Sequence, residues 1–186
     1  MAGPVGYTAV WLLLGLSHDG YSHVAGSVSI LAAYGAPGAG LMTAAFVVQG
    51  AAMALAARLL RPADGPTSVA LMVNAAATLV VAAARVGCGD GDAAWCTPSA
   101  HPLSEGVHVV AATVALSTLV LAPLLFGLRR RRDHQVGSGL ALACFAVMAP
   151  LLVWFGIADA AGWAEKLVIS IGIFWAALTA SRHAKR

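Results

Sequence analysis

Residues 101–128 read HPLSEGVHVVAATVALSTLVLAPLLFGL, and four arginines follow at once at 129–132. Two histidines and a glutamate open the stretch. It then runs apolar for about twenty residues, the length that crosses a hydrocarbon layer ~30 Å thick. It stops at a block of positive charge, the pattern of a span that ends on the cytoplasmic side. This one segment predicts a membrane helix, its direction and a group of side chains able to do chemistry at its mouth.

Composition extends that reading to the whole chain. Of 186 residues, 60% are hydrophobic and only 10% are charged, where a soluble domain carries roughly 25%. Apolar runs of spanning length recur at 41–60, 68–86, 136–155 and 163–180, and a shorter one lies at 2–16. The runs are continuous and rich in Ala and Leu, without the alternation of barrel strands. Only helices then satisfy the backbone in lipid. The expected fold is all-α: a single integral membrane domain over 1–186, a bundle of six transmembrane helices. Residues 24–33 are apolar but too short to cross, and read as an interfacial or re-entrant helix between helices 1 and 2. Tyr21 and Tyr34 would then sit at headgroup level.

Charge sets the orientation. With six spans, Arg58, Arg61, Arg129–Arg132, Arg182, Lys185 and Arg186 fall on one side, leaving Arg85 and Lys166 opposite. The arginine-rich side is expected to be cytoplasmic, with both termini there, in a cell membrane. The basic residues are accounted for as topology signals, so nucleic acid is not an expected partner. The lipid bilayer is, and an oligomer is compatible with the sequence.

The order of motifs resembles a bacterial six-helix membrane family known as domain of unknown function 998. Residues 21–42 (YSHVAGSVSILAAYGAPGAGLM) are similar to its tyrosine–serine segment. Residues 88–96 (CGDGDAAWC) with 101–112 (HPLSEGVHVVAA) resemble its cysteine-bearing loop and the histidine that begins span four. Residues 162–178 (GWAEKLVISIGIFWAAL) resemble its Gly-x-x-Glu-basic motif. The resemblance implies the fold and the membrane location, and no activity.

The candidate site follows from spacing. His101, Glu105 and His108 lie within about 60° of arc on one helix face, so they can converge on a divalent metal or a polar substrate group. His18, Asp19, Asp159 and Glu165 come from loops expected at the same end, and Arg85 can bind a phosphate or neutralise Glu105 or Glu165. Glu105, His108, Glu165 and Asp19 are the expected acid–base residues. His18, His101, Arg85 and Asp159 are the expected binding residues. No cofactor is required by the sequence; a divalent ion on His101, Glu105 and His108 is possible. The ordinary alternative is polar residues at the mouth of a span that satisfy one another. Cys88 and Cys96 lie in an outer loop and are expected to form a disulfide. The functional expectation is a protein handling a lipid, isoprenoid or other small apolar molecule in an outer-leaflet pocket, with a non-catalytic subunit or a metal-dependent hydrolase as alternatives.

Overall fold

A computed structural model describes residues 1–87, 95–96, 101–132 and 137–184. Six α-helices follow one another: α1 (Ala2–Ser17), α2 (Ala39–Leu60), α3 (Gly65–Ala83), α4 (Pro102–Arg132), α5 (Ser138–Ile157) and α6 (Gly162–His183). No strand occurs among the described residues. Helices α2 to α6 are long and apolar enough to cross a membrane. The shorter α1, of 16 residues, measures about 24 Å at 1.5 Å per residue. The chain is thus a helical membrane bundle.

The turn after α2 is fixed by sequence. Asp64 caps α3, its carboxylate accepting from the Thr67 backbone N–H at 3.2 Å, and proline stands in the first turn of the helix. Proline fits there because the first backbone donors of a helix have no partner in any case. Asp64 is buried, and Arg129 Nε approaches its carboxylate to 3.7 Å. Arg130 in turn donates to His183 Nε2 at 2.8 Å and lies over the Phe126 ring. The ends of α4 and α6 and the α2–α3 turn therefore meet at one pole, which gathers the arginines that the sequence places together.

The bundle closes by small residues. A Cβ placed on Gly172 of α6 would stand 2.5 Å from Leu119 of α4, so glycine lets these two helices approach. Helix α5 packs against α4 and α6 only through a narrow strip, with Ala141 and Met148 its buried residues. Val147, Val153, Trp154 and Ile157 face outward. Such a helix is stable only where the surrounding solvent is itself apolar.

Two sequence expectations change. In the segment between α1 and α2 the only helical part is a five-residue 3₁₀ turn, Val28–Ala32, shorter than the expected helix. Val28, Leu31 and Ala33 are fully buried against the protein, because their apolar side chains find α1, α2 and α6. Tyr21 likewise turns inward, its hydroxyl donating to the carbonyls of Gly26 at 3.1 Å and Ser27 at 3.0 Å. Helix α3 stops at Ala83 instead of Val86, with Ala84 in an extended conformation. The Ala84 carbonyl is turned out of the helix and accepts from a side chain of α4.

Candidate functional site

That side chain is His108, nearly two turns inside α4 and buried. Its Nδ1 lies 2.6 Å from the Ala84 carbonyl oxygen, and its Nε2 lies 3.0 Å from Ser29 Oγ. A carbonyl can only accept, so Nδ1 carries the proton of that bond, while Nε2 and the Ser29 hydroxyl share the second one. Both nitrogens are occupied. His108 ties the end of α3 to the buried 3₁₀ turn.

Helix α6 holds the same turn from the other side. Glu165, also buried, accepts the Val28 backbone N–H on Oε2 at 2.8 Å. A 3₁₀ turn has free donors at its start, and a carboxylate is a strong acceptor for one of them. Lys166 donates to the carbonyls of His23 at 3.1 Å, Gly162 at 3.3 Å and Gly26. All three ammonium donors thus find oxygen acceptors, and the Tyr21 ring lies 5.3 Å from Nζ. Trp163 N–H donates to the Val24 carbonyl at 3.0 Å. Contact is close enough here that a Cβ on Gly162 would stand 2.2 Å from the Gly26 oxygen. Only glycine lets α6 begin against this loop. Burial, then the nearby Lys166 ammonium, holds the His23 imidazole below its ordinary pKa. Burial, then the Glu165 carboxylate, pushes the Tyr21 phenol up.

Beneath the clamped turn lies a cavity. Its polar wall is Tyr7, Ser29, Gln49, Asn74, Thr78 and Glu165; Phe46, Leu116, Leu119, Ile169 and Ile173 supply most of the apolar wall. About 50 Å³ is open to the centres of water-sized molecules, and about 490 Å³ lies between the lining atoms when its open mouth is included. Room for a water needs about 10–15 Å³ by the first measure, so the cavity is hospitable. From Glu165 to Ile173 it follows α6 for about 12 Å. Asn74 donates to the Ala115 carbonyl at 2.8 Å. Gln49 has no such partner: both its amide nitrogen and its carbonyl oxygen are buried and without a hydrogen bond, on a residue only 3% exposed. A buried, unpaired amide is costly, and both of its polar atoms are covered by neighbouring protein atoms.

The sequence candidates are distributed differently from the expectation. Glu165 lines the cavity, whereas His108 touches it only through Ser29, and Glu105 lies half-exposed outside it. His101 is exposed, its ring 5.8 Å from that of Tyr34. His18 contacts the Pro37 carbonyl and the Trp95 ring, and Asp19 is exposed, its backbone oxygen accepting from Trp95 Nε1 at 2.9 Å. Asp159 is exposed. The Arg85 carbonyl accepts from Ser104 Oγ at 3.1 Å, a link that fastens the start of α4 to the end of α3. No group of three or more His, Cys, Asp or Glu stands together as a metal site among the described residues. For the proposed His101–Glu105–His108 set the physical reason is plain: helical spacing brings the three to one arc, but His108 points into the bundle and is engaged at both nitrogens. The Cys88–Cys96 pairing lies outside the described residues, since Cys88 is not among them; Cys144 is a free thiol in α5.

Residues that the sequence reading passed over are Gln49, Tyr7 and Ser29. Gln49 had a signal, being an amide in the middle of an apolar run of spanning length. Tyr7 and Ser29 had none, because nothing local distinguishes them from other residues near a span end.

Fold and cavity together define a polytopic helical membrane protein with a polar chamber inside the bundle. Residues 1–182 match the family described as "Protein of unknown function (DUF998)", and the chain belongs to that family. No curated protein and no solved structure matches it.

Proposed function

We propose that the protein binds a small apolar molecule of the membrane, holding its polar end in the chamber between α1, α2, α3, α4 and α6. The observation that carries this is the cavity itself, which sets Ser29, Thr78 and Glu165 among the apolar walls of Phe46, Leu116, Leu119, Ile169 and Ile173. Sites of this kind combine apolar walls with a few placed polar groups.

The reading is one of binding. Support for a purely structural role is specific to His108 and Lys166, each of which has its hydrogen-bonding capacity used within the protein. They build the roof of the chamber. We place the arginine-rich pole in the cytoplasm and the roof on the outer side of a cell membrane, by the bias of basic residues toward the cytoplasmic face.

Native mass spectrometry of the purified chain, with lipid extraction, tests the proposal. A stoichiometric small molecule is expected with the wild type and is lost from Thr78→Leu, which should remain folded. Wild type free of any such molecule, or equal retention by Thr78→Leu, would contradict it.

A further inference from the structure

We infer that the polar end received by the chamber is an ammonium group, carried by an amine of the membrane; this rests on the binding reading above. Four polar atoms of the wall are open to it. Glu165 uses Oε2 for the Val28 N–H, and no described residue bonds its Oε1. Asn74 turns Nδ2 to the Ala115 carbonyl, which leaves its Oδ1 without a partner among the described residues. The hydroxyls of Tyr7 and Thr78 likewise bond no described residue. All four residues line the cavity, and none of these oxygens is sealed in the way that both ends of Gln49 are. A carboxylate and an amide oxygen can only accept, while a hydroxyl can accept as well as donate. The unmet wall is therefore weighted toward acceptors. A primary ammonium brings three donors and no acceptor, and so matches it.

Charge sets the same requirement. Glu165 is only 6% exposed, and a buried carboxylate calls for a partner. Between described residues a single ion pair forms, Arg129 with Asp64 at the arginine-rich pole, so no cation of these pairs with Glu165. No Arg, Lys or His lines the cavity. Lys166 follows Glu165 in the chain, but its ammonium donates to the carbonyls of His23, Gly26 and Gly162 and is not on the wall. Two aromatic rings add to the fit. Those of Tyr7 and Phe46 stand 5.5 Å apart on the same cavity, and an aromatic ring attracts a cation held within about 6 Å of its face. A carboxylate, further acceptor oxygens and two aromatic rings are the surroundings that hold an ammonium group.

The test is equilibrium dialysis of the full chain in a non-ionic detergent at about pH 7.5, with radiolabelled octylamine, cationic at that pH, as the probe. Empty micelles give the partitioning background. Saturable binding is expected, displaced at least about tenfold more weakly by octanol and by octanoate than by octylamine. Glu165→Gln keeps an acceptor for the Val28 N–H and removes the charge. Checked for folding by its thermal transition, it should bind octylamine about tenfold more weakly, level with octanol. Thr78→Val, checked in the same way, should weaken octylamine about threefold and decides the matter if Glu165→Gln does not fold. Lysophosphatidylethanolamine carries the same ammonium beside a phosphate: parity with octylamine would name a lipid headgroup as its source, weaker competition a free amine, and both support the assignment. Octanol or octanoate competing as well as octylamine, or unchanged octylamine affinity in a folded variant, would overturn the ammonium and leave the binding site standing. So would a wild-type chain that holds no octylamine yet carries another molecule lost in Thr78→Leu. No saturable binding and no carried molecule would remove both.

Discussion

Replacing His108 by Ala is the most informative perturbation of the roof. The substitution removes the donor to the Ala84 carbonyl and the ring partner of the Ser29 hydroxyl. Ala84 is buried, so its carbonyl bears the cost of an orphaned acceptor, about 1–3 kcal/mol. Ser29 borders the chamber and can turn its hydroxyl to water there, so its share is smaller. Loss of the packed ring adds to both. The sum is about 2–4 kcal/mol, which for a chain of this size lowers Tm by about 5–15 °C. Thermal unfolding of the detergent-solubilised chain, followed by tryptophan fluorescence, reads this directly. Ser29→Ala alone should cost about 0.5–1.5 kcal/mol. The double variant should be less destabilised than the sum of the two, because one bond is removed twice. A His108→Ala transition within about 1 °C of wild type, or strict additivity with Ser29→Ala, would refute the latch.

Gly162→Ala should destabilise the chain by about 1–3 kcal/mol, since its Cβ meets the Gly26 carbonyl and backbone cannot yield as a side chain does; an unchanged Tm would show that α6 does not abut the loop. Acid should weaken the protein through His23. Its folded pKa is depressed, so the unfolded chain takes up the proton first; the stabilisation is present above about pH 6.5 and is lost as pH falls through the folded value. Tm should therefore drop between about pH 7 and about pH 5 in wild type and less so in His23→Phe, and equal slopes would reject the assignment. Non-reducing mass spectrometry should find Cys88 joined to Cys96, as an outer-side loop permits; two free thiols in protein isolated without reductant would contradict both the pairing and the orientation.

How much of this was legible depended on how local the cause was. The spans and the gathering of arginines are local: an apolar run and its flanking charges decide them, and Asp64, Arg129, Arg130 and His183 meet as the charge pattern implies. The fate of residues 24–33 was not, because whether Val28 and Leu31 face lipid or protein depends on helices that arrive far later in the chain. His108 shows the same limit. Its place on one arc with His101 and Glu105 follows from helical spacing, but its partners lie 24 and 79 residues away, and they fasten it between the end of α3 and the buried turn. Glu165 was found for its charge and its flanking motif, yet its bond to Val28 spans 137 residues. Gln49 was readable as a polar residue deep in a span, and its isolation comes from what fails to reach it, which no spacing rule encodes.

The central claim is that the chamber is an occupied site, and a cryo-electron microscopy map of the chain in lipid nanodiscs tests it most directly. The account predicts non-protein density in the cavity lined by Ser29, Thr78 and Glu165. A cavity holding nothing but water would contradict it.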